Sequence, residues 1–220
     1  MTVREVRRTT AGFVLECGPV PASELVEADA VIVAAPAAKS ARLLGDVAPA
    51  AAAELSTVDA ASMAIVTFAF RNVALPPGSG LLVSSREGRP VKAVTLSSQK
   101  WPGTPAGLTV LRASVGRVGE TVDLQRDDAE LTALVLADLR ILIGVQAEPI
   151  DSLVTRWGGG LPQYAVGHVE KVARIRAAVA VVPGLAVCGA TYDGVGIPAC
   201  IASARLAADQ VLASLAGQGQ

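Results

Sequence analysis

The sequence predicts a mixed α/β (α+β) fold in which pieces of a partly parallel sheet flank a mainly antiparallel, β-rich insert. Three observations carry that prediction. Residues 28–35 read as a strand whose apolar run after Asp29, Ala30-Val31-Ile32-Val33-Ala34 ending at Pro36, is what a strand buried on both faces of a parallel sheet requires. Four β-rich stretches (63–70, 80–85, 91–97 and 108–115) succeed one another with Pro- and Gly-bearing loops between them, the pattern of an antiparallel meander. A strand at 185–189 then passes through a glycine-containing turn into a helix over 198–215.

Along the chain, residues 3–8 and 13–17 flank Thr9-Thr10-Ala11-Gly12 and read as a β-hairpin with a glycine turn. Residues 37–44 read as a helix. The loops of the meander carry Pro76-Pro77-Gly78, Arg86-Glu87-Gly88-Arg89-Pro90 and Pro102-Gly103. Residues 127–143 predict an amphipathic helix: Asp127 and Asp128 suit its positive end, and Leu131, Leu134, Val135, Leu139, Leu142 and Ile143 recur at helical spacing with charges on one face. A short strand at 153–157 leads into Gly158-Gly159-Gly160, a helix follows at 166–179, and Gly217 with a polar end closes the chain.

Composition narrows the function classes. Across 220 residues, 51% are hydrophobic and 18% charged, with a formal net charge of −1. That balance describes a globular chain able to bury a sizeable core, not a disordered one. No basic stripe interleaved with aromatics appears, so nucleic-acid binding has no electrostatic footprint. Mean hydropathy is +0.47. The run 177–190 is broken by Pro183 and Gly184 and is too short for a transmembrane segment, which leaves room only for a peripheral membrane contact. The N-terminus lacks an apolar signal segment, and the odd set Cys17, Cys188 and Cys200 lacks metal-ligand spacing; together they point to a reducing cytoplasm. His168 is the single histidine, so no zinc site or triad needing two histidines is expected.

The most informative stretch is Leu185-Ala186-Val187-Cys188-Gly189-Ala190-Thr191-Tyr192-Asp193-Gly194-Val195-Gly196-Ile197-Pro198. Pro198 near the first helical position sacrifices no hydrogen bond, because that amide would be unpaired in any case. Gly194 and Gly196 let backbone approach a ligand closely, and free amides at the positive helix end favour a negatively polarised group. Gly194-x-Gly196-x-x-Ala199 satisfies the dinucleotide fingerprint only formally. The loop is long, and no second βαβ strand with an acidic ribose ligand follows. On the motif alone, a tight turn without a ligand explains it as well.

Trp157-Gly-Gly-Gly-Leu-Pro-Gln-Tyr-Ala-Val-Gly-His168, Glu170-Lys171-Val172 and the 189–198 stretch resemble the C-terminal signature of the porphyrinogen oxidase family. These are the FAD-dependent protoporphyrinogen and coproporphyrinogen III oxidases of haem synthesis. Gln99-Lys100-Trp101-Pro102 and Leu111-Arg112-x-x-Val115-Gly116 resemble that family's substrate-domain strands, and the likeness runs from about Val3 to the end of the chain. The alanine-rich composition, with arginine over lysine, resembles actinobacterial members, which generally oxidise coproporphyrinogen III.

What the resemblance implies is specific. The fold is expected to be the C-terminal part of a two-domain FAD-binding, amine-oxidase-like fold. Residues 1–45 and 151–220 would belong to the FAD-binding domain and 46–150 to the substrate domain. The Gly-rich N-terminal Rossmann unit and the substrate-gripping helical segment are expected to be missing. Val3 matches a valine whose backbone contacts adenine, and Trp157 an aromatic residue beside the flavin. Gly189 and Ala190 match residues lining the flavin, and Val195, Gly196 and Ile197 match backbone amides on its pyrimidine side. The implied reaction is oxidation of coproporphyrinogen III to coproporphyrin III, with oxygen as the acceptor and FAD carrying the electrons. No side chain is assigned a catalytic role. The implied partners are the porphyrinogen and either a separate N-terminal half or a second copy of this chain. Protoporphyrinogen IX oxidase, a related amine oxidase or carotenoid desaturase, and a non-catalytic interaction domain or remnant stand as alternatives. The chain alone is expected neither to hold FAD tightly nor to turn over.

For the remaining polar residues the plain readings are preferred. Asp193 is expected to cap the last helix, His168 to be a satisfied histidine near a helix start, Lys100 and Arg112 to be exposed strand charges, and Cys188 and Cys200 to fill the core. Tyr164 and Tyr192 read equally as pocket or packing residues.

Overall fold

The computed structural model, which describes residues 1–218, begins with an antiparallel sheet of β1 (Val3–Arg8), β2 (Phe13–Cys17) and β3 (Glu24–Ala28). The expected hairpin is present, closed by the Thr9 amide donating to the Gly12 carbonyl at 2.9 Å. The third strand was not anticipated from sequence, because its two glutamates disfavour a strand assignment.

The apolar run predicted at 28–35 contracts to β4 (Val31–Val33). Val31 and Val33 are buried but Ile32 is 40% exposed, so burial on both faces is corrected to burial on one. Ile32 instead lines an open cavity beside Val3. Next come α1 (Ala37–Leu44) and α2 (Pro49–Ser56), the latter opened by a proline that costs no helical hydrogen bond at its first position. Its alanine run, Ala50 to Ala53, carries no periodic signal, so sequence reasoning missed it. Ala51 and Leu55 nevertheless join Leu44 and Ile175 in one core.

A second unit, Ala61–Gly160, follows. Its strands are β5 (Ala60–Arg71), β6 (Gly80–Leu82), β7 (Val91–Thr95) and, after the short helix α3 (Ser97–Lys100), β8 (Leu108–Val115). Helix α4 (Asp128–Leu142) and strand β9 (Asp151–Pro162) complete it. The sheet order is β6-β7-β8-β5-β9. The expected four-strand meander is thus only partly present: β6, β7 and β8 follow one another, but β5 lies beside β8 and not beside β6. The strand expected over 80–85 stops at Leu82. The strand expected over 91–97 stops at Thr95, and the one expected over 153–157 extends through all three glycines.

Strict alternation sets the register of the two central strands. Val66, Phe68 and Phe70 of β5 and Leu111, Ala113 and Val115 of β8 are buried on one face. Leu131, Val135 and Leu139 of α4 are buried in the same core. Each side chain of Leu or Phe size so buried contributes roughly 1.5–3 kcal/mol. Asp127 caps α4 by accepting from the Glu130 amide at 2.8 Å. The expectation that α4 charges lie on one face fails at Asp138, which is 5% exposed. Its carboxylate accepts from Arg89 at 2.8 Å and from the Val91 amide at 3.1 Å, tying α4 to the start of β7.

The chain then returns to the first unit, Met1–Ala60 with Leu161 onward. Sequence reasoning set the divisions near 45 and 150. The compact units instead divide at 60/61 and 160/161, because α2 packs into the first unit's core. Helix α5 (His168–Ala180) leads to β10 (Leu185–Val187), which pairs in parallel with β4, Leu185 opposite Val31 and Val187 opposite Val33. Helix α6 (Ile197–Gln218) ends the described residues, and the polar end beyond Gln218 lies outside them. Sequence inspection found no candidate membrane span, yet Ile197–Gly217 is long and apolar enough to cross one by length and composition alone.

Replacing Asp138 with alanine is expected to lower the unfolding free energy by about 3 kcal/mol, because it leaves Arg89 and a buried amide unpaired. Urea denaturation followed by circular dichroism measures this. A loss below about 1 kcal/mol would mean the Asp138 contacts contribute little.

Candidate functional site

The parallel pairing of β4 and β10 puts the C-terminal ends of both strands side by side, where open α/β sheets bind ligands. At the end of β10 the chain turns at Gly189, whose φ of +112° a side chain would strain. The Gly189 amide donates to the Ser203 hydroxyl of α6 at 3.2 Å, fixing where the turn leaves the strand. Gly194, with φ +145°, lies where a Cβ would come within 3.0 Å of the Ala199 side chain. The turn needs glycine at this position if it is to reach α6.

Val195 and Ile197 are 51% and 77% exposed, so the turn is open and not packed against its own chain. Among the described residues the amides of Val195, Gly196 and Ile197 find no hydrogen-bond acceptor. Three such donors at the positive end of a long helix form a surface for a negatively polarised group. Pro198 falls at the second helical position, in keeping with the sequence expectation.

Val3 lines a cavity of about 430 Å³ floored by Val6, Val31 and Val33, with Lys39 and Arg42 at its rim. Ala34 connects this cavity to the turn. It lines the cavity, and its carbonyl is the nearest atom, at 3.7 Å, to where a Cβ on Gly189 would stand. Gly189 and Ala190 thus follow directly on β10, with Val195, Gly196 and Ile197 further along the same turn, whereas Val3 belongs to the separate β1-β2-β3 sheet and is linked to them only through the cavity that Ala34 also lines. Trp157 belongs to the second unit, on β9, and is 53% exposed.

Polar side chains brace the turn from behind. The Tyr164 hydroxyl donates to the Ala190 carbonyl, and its ring stacks on His168 at 4.1 Å between centroids. His168 begins α5, but its buried Nε2 has no partner, which corrects the expectation of a satisfied histidine. Asp193 does not cap α6. Both its oxygens accept from Arg176, at 2.8 and 2.5 Å. The hydrogen-bonded guanidinium holds the Asp193 carboxyl below the usual carboxylate range. Burial pushes the Tyr192 phenol up to about 12 and raises the Tyr164 phenol and the Cys188 thiol, so none of the three is a ready anion near neutrality. Cys188 is a core filler, and Cys200 is half-buried.

Sequence reasoning missed Lys39, Arg42, Arg176 and Ser203. The first two had a legible signal, a three-residue spacing on the helix that follows a sheet strand. Arg176 and Ser203 had none, because their partners lie 17 and 14 residues away.

The match to known proteins agrees with this architecture. Residues 1–212 match the family of flavin containing amine oxidoreductases, and the chain belongs to that family. It is 40% identical over 190 residues to the coproporphyrinogen III oxidase of Mycobacterium leprae, an alignment covering 86% of this chain and 42% of that protein. It is 34% identical over 195 residues to the Bacillus subtilis protein of the same name, covering 86% of this chain and 41% of the relative. The solved structure of a putative protoporphyrinogen oxidase from Exiguobacterium superposes with a TM-score of 0.78 at 34% identity, over 93% of this chain and 44% of that one. The chain therefore spans about two-fifths of the length of the curated relatives it matches. Its fold is correspondingly a part of the amine-oxidase-like fold.

Because the folded pKa of Asp193 is depressed, its contribution is present above the unfolded value near 3.9 and is lost as pH falls through the lower folded value. The pair is partly solvent-exposed, so Asp193→Asn is expected to cost at most about 1 kcal/mol at pH 7. The difference from wild type should shrink toward zero below about pH 4, as the unfolded carboxylate protonates first. Thermal melts across that range read it; a difference that persists at pH 2 would contradict the assignment.

Proposed function

We propose that this chain supplies part of the flavin site of a coproporphyrinogen III oxidase that works in the cytoplasm with FAD as cofactor and oxygen as acceptor. The observation that carries the reading is the open turn 189–197, with its unpaired amides, next to the apolar cavity at Val3.

These residues fit the group. The cavity offers an apolar floor for an adenine, and Lys39 and Arg42 at its rim suit phosphate oxygens. The turn offers backbone donors with no Cβ at the point of closest approach. When bound, FAD would supply the redox chemistry, two-electron oxidation of the substrate with oxygen as the final acceptor. The chain's own contribution is electrostatic and steric. The amides of Val195, Gly196 and Ile197 stand ready to stabilise negative charge that develops on a ring edge during reduction. The Tyr164–Ala190 bond and the Gly189–Ser203 bond hold that turn in shape beforehand, so little reorganisation accompanies the chemistry.

The three cysteines, all unpaired, support a reducing compartment. The relatives named coproporphyrinogen III oxidase favour that substrate. A protoporphyrinogen substrate is the second reading, favoured by the name of the Exiguobacterium protein.

The test is to titrate the chain with FAD, alone and mixed with the portion of the Mycobacterium leprae protein that it does not match, then to follow porphyrin fluorescence after adding coproporphyrinogen III. The mixture is expected to bind FAD and form porphyrin, and Gly194→Val to weaken FAD binding at least tenfold by closing the approach to the turn. Failure of the mixture to bind flavin, or wild-type affinity in the variant with its fold intact, would remove the proposal and favour a non-catalytic domain.

A further inference from the structure

Apart from the cavity at Val3, the first unit holds a further cavity of about 300 Å³. Its walls come from α5, the turn that follows it, β10 and the far half of α6. Val179, Val182, Leu185 and Val187 give it an apolar lining, and each of these residues is buried. Ser214 stands at the α6 wall, where its hydroxyl accepts from the Gly184 amide at 2.9 Å and has its own hydrogen left to donate. Arg176 is the one charged residue in the lining.

Protein interiors leave few voids larger than a water molecule, and a cavity of this size falls at the small end of the range for ligand sites. An apolar hollow with a single charged group suits a small amphipathic molecule: the walls take its hydrocarbon, and one polar contact sets its orientation. The bonding of Arg176 defines the head group. A guanidinium presents five N–H donors in two forks, one at its end and one along its side. The end fork is occupied, since Nη1 and Nη2 donate to the two oxygens of Asp193 at 2.8 and 2.5 Å. The Tyr192 ring lies against the group, its centroid 5.8 Å from the guanidinium carbon. Nε and the outer hydrogen of Nη2 form the side fork, which has no acceptor among the described residues. Two parallel donors match the two oxygens of a carboxylate. Asp193 already offsets part of the cation's charge, so a singly charged head fits better than a multiply charged one.

We propose that this cavity is a second ligand site, for an unbranched monocarboxylate whose head takes the side fork of Arg176 and whose tail lies along Val182, Leu185 and Val187. The site stands apart from the flavin reading, and a chain that failed to bind FAD would still carry it. One guanidinium holds both the ligand and Asp193, so the site is joined to the glycine turn in which Asp193 lies.

The probes are octanoate, hexanoate and butanoate, with octanol as the uncharged tail and acetate as the head without a tail. Each is titrated into the full chain and followed by amide NMR spectra. Octanoate is expected to shift the amides of Val182, Leu185, Val187 and Ala213. It should bind about tenfold tighter than octanol, the scale of one charge-assisted contact. Affinity should fall about fourfold for each methylene removed, leaving no measurable shift with acetate. Arg176→Gln should remove the preference for acid over alcohol, and Arg176→Lys should restore part of it. Ala213→Phe, at an exposed position of the wall, should abolish binding of both by filling the cavity. Asp193→Asn removes the competing carboxylate and should tighten octanoate binding about twofold to fivefold. If Arg176→Gln fails to fold, the Ala213→Phe and Asp193→Asn titrations decide. Unshifted spectra, shifts confined to other residues, equal binding of octanoate and octanol by wild type, undiminished binding in folded Ala213→Phe, or unchanged affinity in Asp193→Asn would each overturn the proposal.

Discussion

The first unit depends on a three-residue parallel pairing. Val31, Ile32 and Val33 lie beside Leu185, Ala186 and Val187, although about 150 residues separate the two strands in sequence. Loop-closure entropy grows only slowly with length, so an intervening unit of a hundred residues is no great penalty once both strands are apolar enough to bury. Everything that makes the turn a candidate site follows from this pairing. It sets Ala34 beside Gly189, aligns the cavity at Val3 with the end of β10, and fixes the origin of α6.

Backbone geometry then does most of the work at the site. Gly189 and Gly194 occupy conformations that side chains disfavour, Ser203 and Tyr164 hold the ends of the turn, and the helix start leaves its amides unspent. Beside the turn, Asp193 is paired with Arg176 and the Tyr192 phenol is kept neutral by burial.

The legible parts of the fold were those with strong periodicity or punctuation. The hairpin at 3–17, β8 and α4 have clear alternation or heptad-like spacing, and the strand–turn–helix at 185–215 is marked by Gly194, Gly196 and Pro198. What failed was context. Ile32 looks like core but lines an open cavity and is partly exposed; α2 looks featureless because alanine packs closely without patterning. Asp138 looks like a solvated charge until Arg89, 49 residues earlier, is found beside it. At the site the glycine turn was readable, but the Asp193–Arg176 pair was not, since an acid just before a helix is the ordinary signature of a cap.

The second unit begins on β5 and ends on β9, and these two strands are neighbours in its sheet. Ser62 near the entry accepts from the Gly159 amide near the exit at 3.0 Å. The segment thus leaves its host through the same narrow gate by which it enters. Evolution can therefore exchange it, lengthen its hairpins or reshape its sheet while the host keeps its strand order. One host frame can in this way carry inserts of many different shapes.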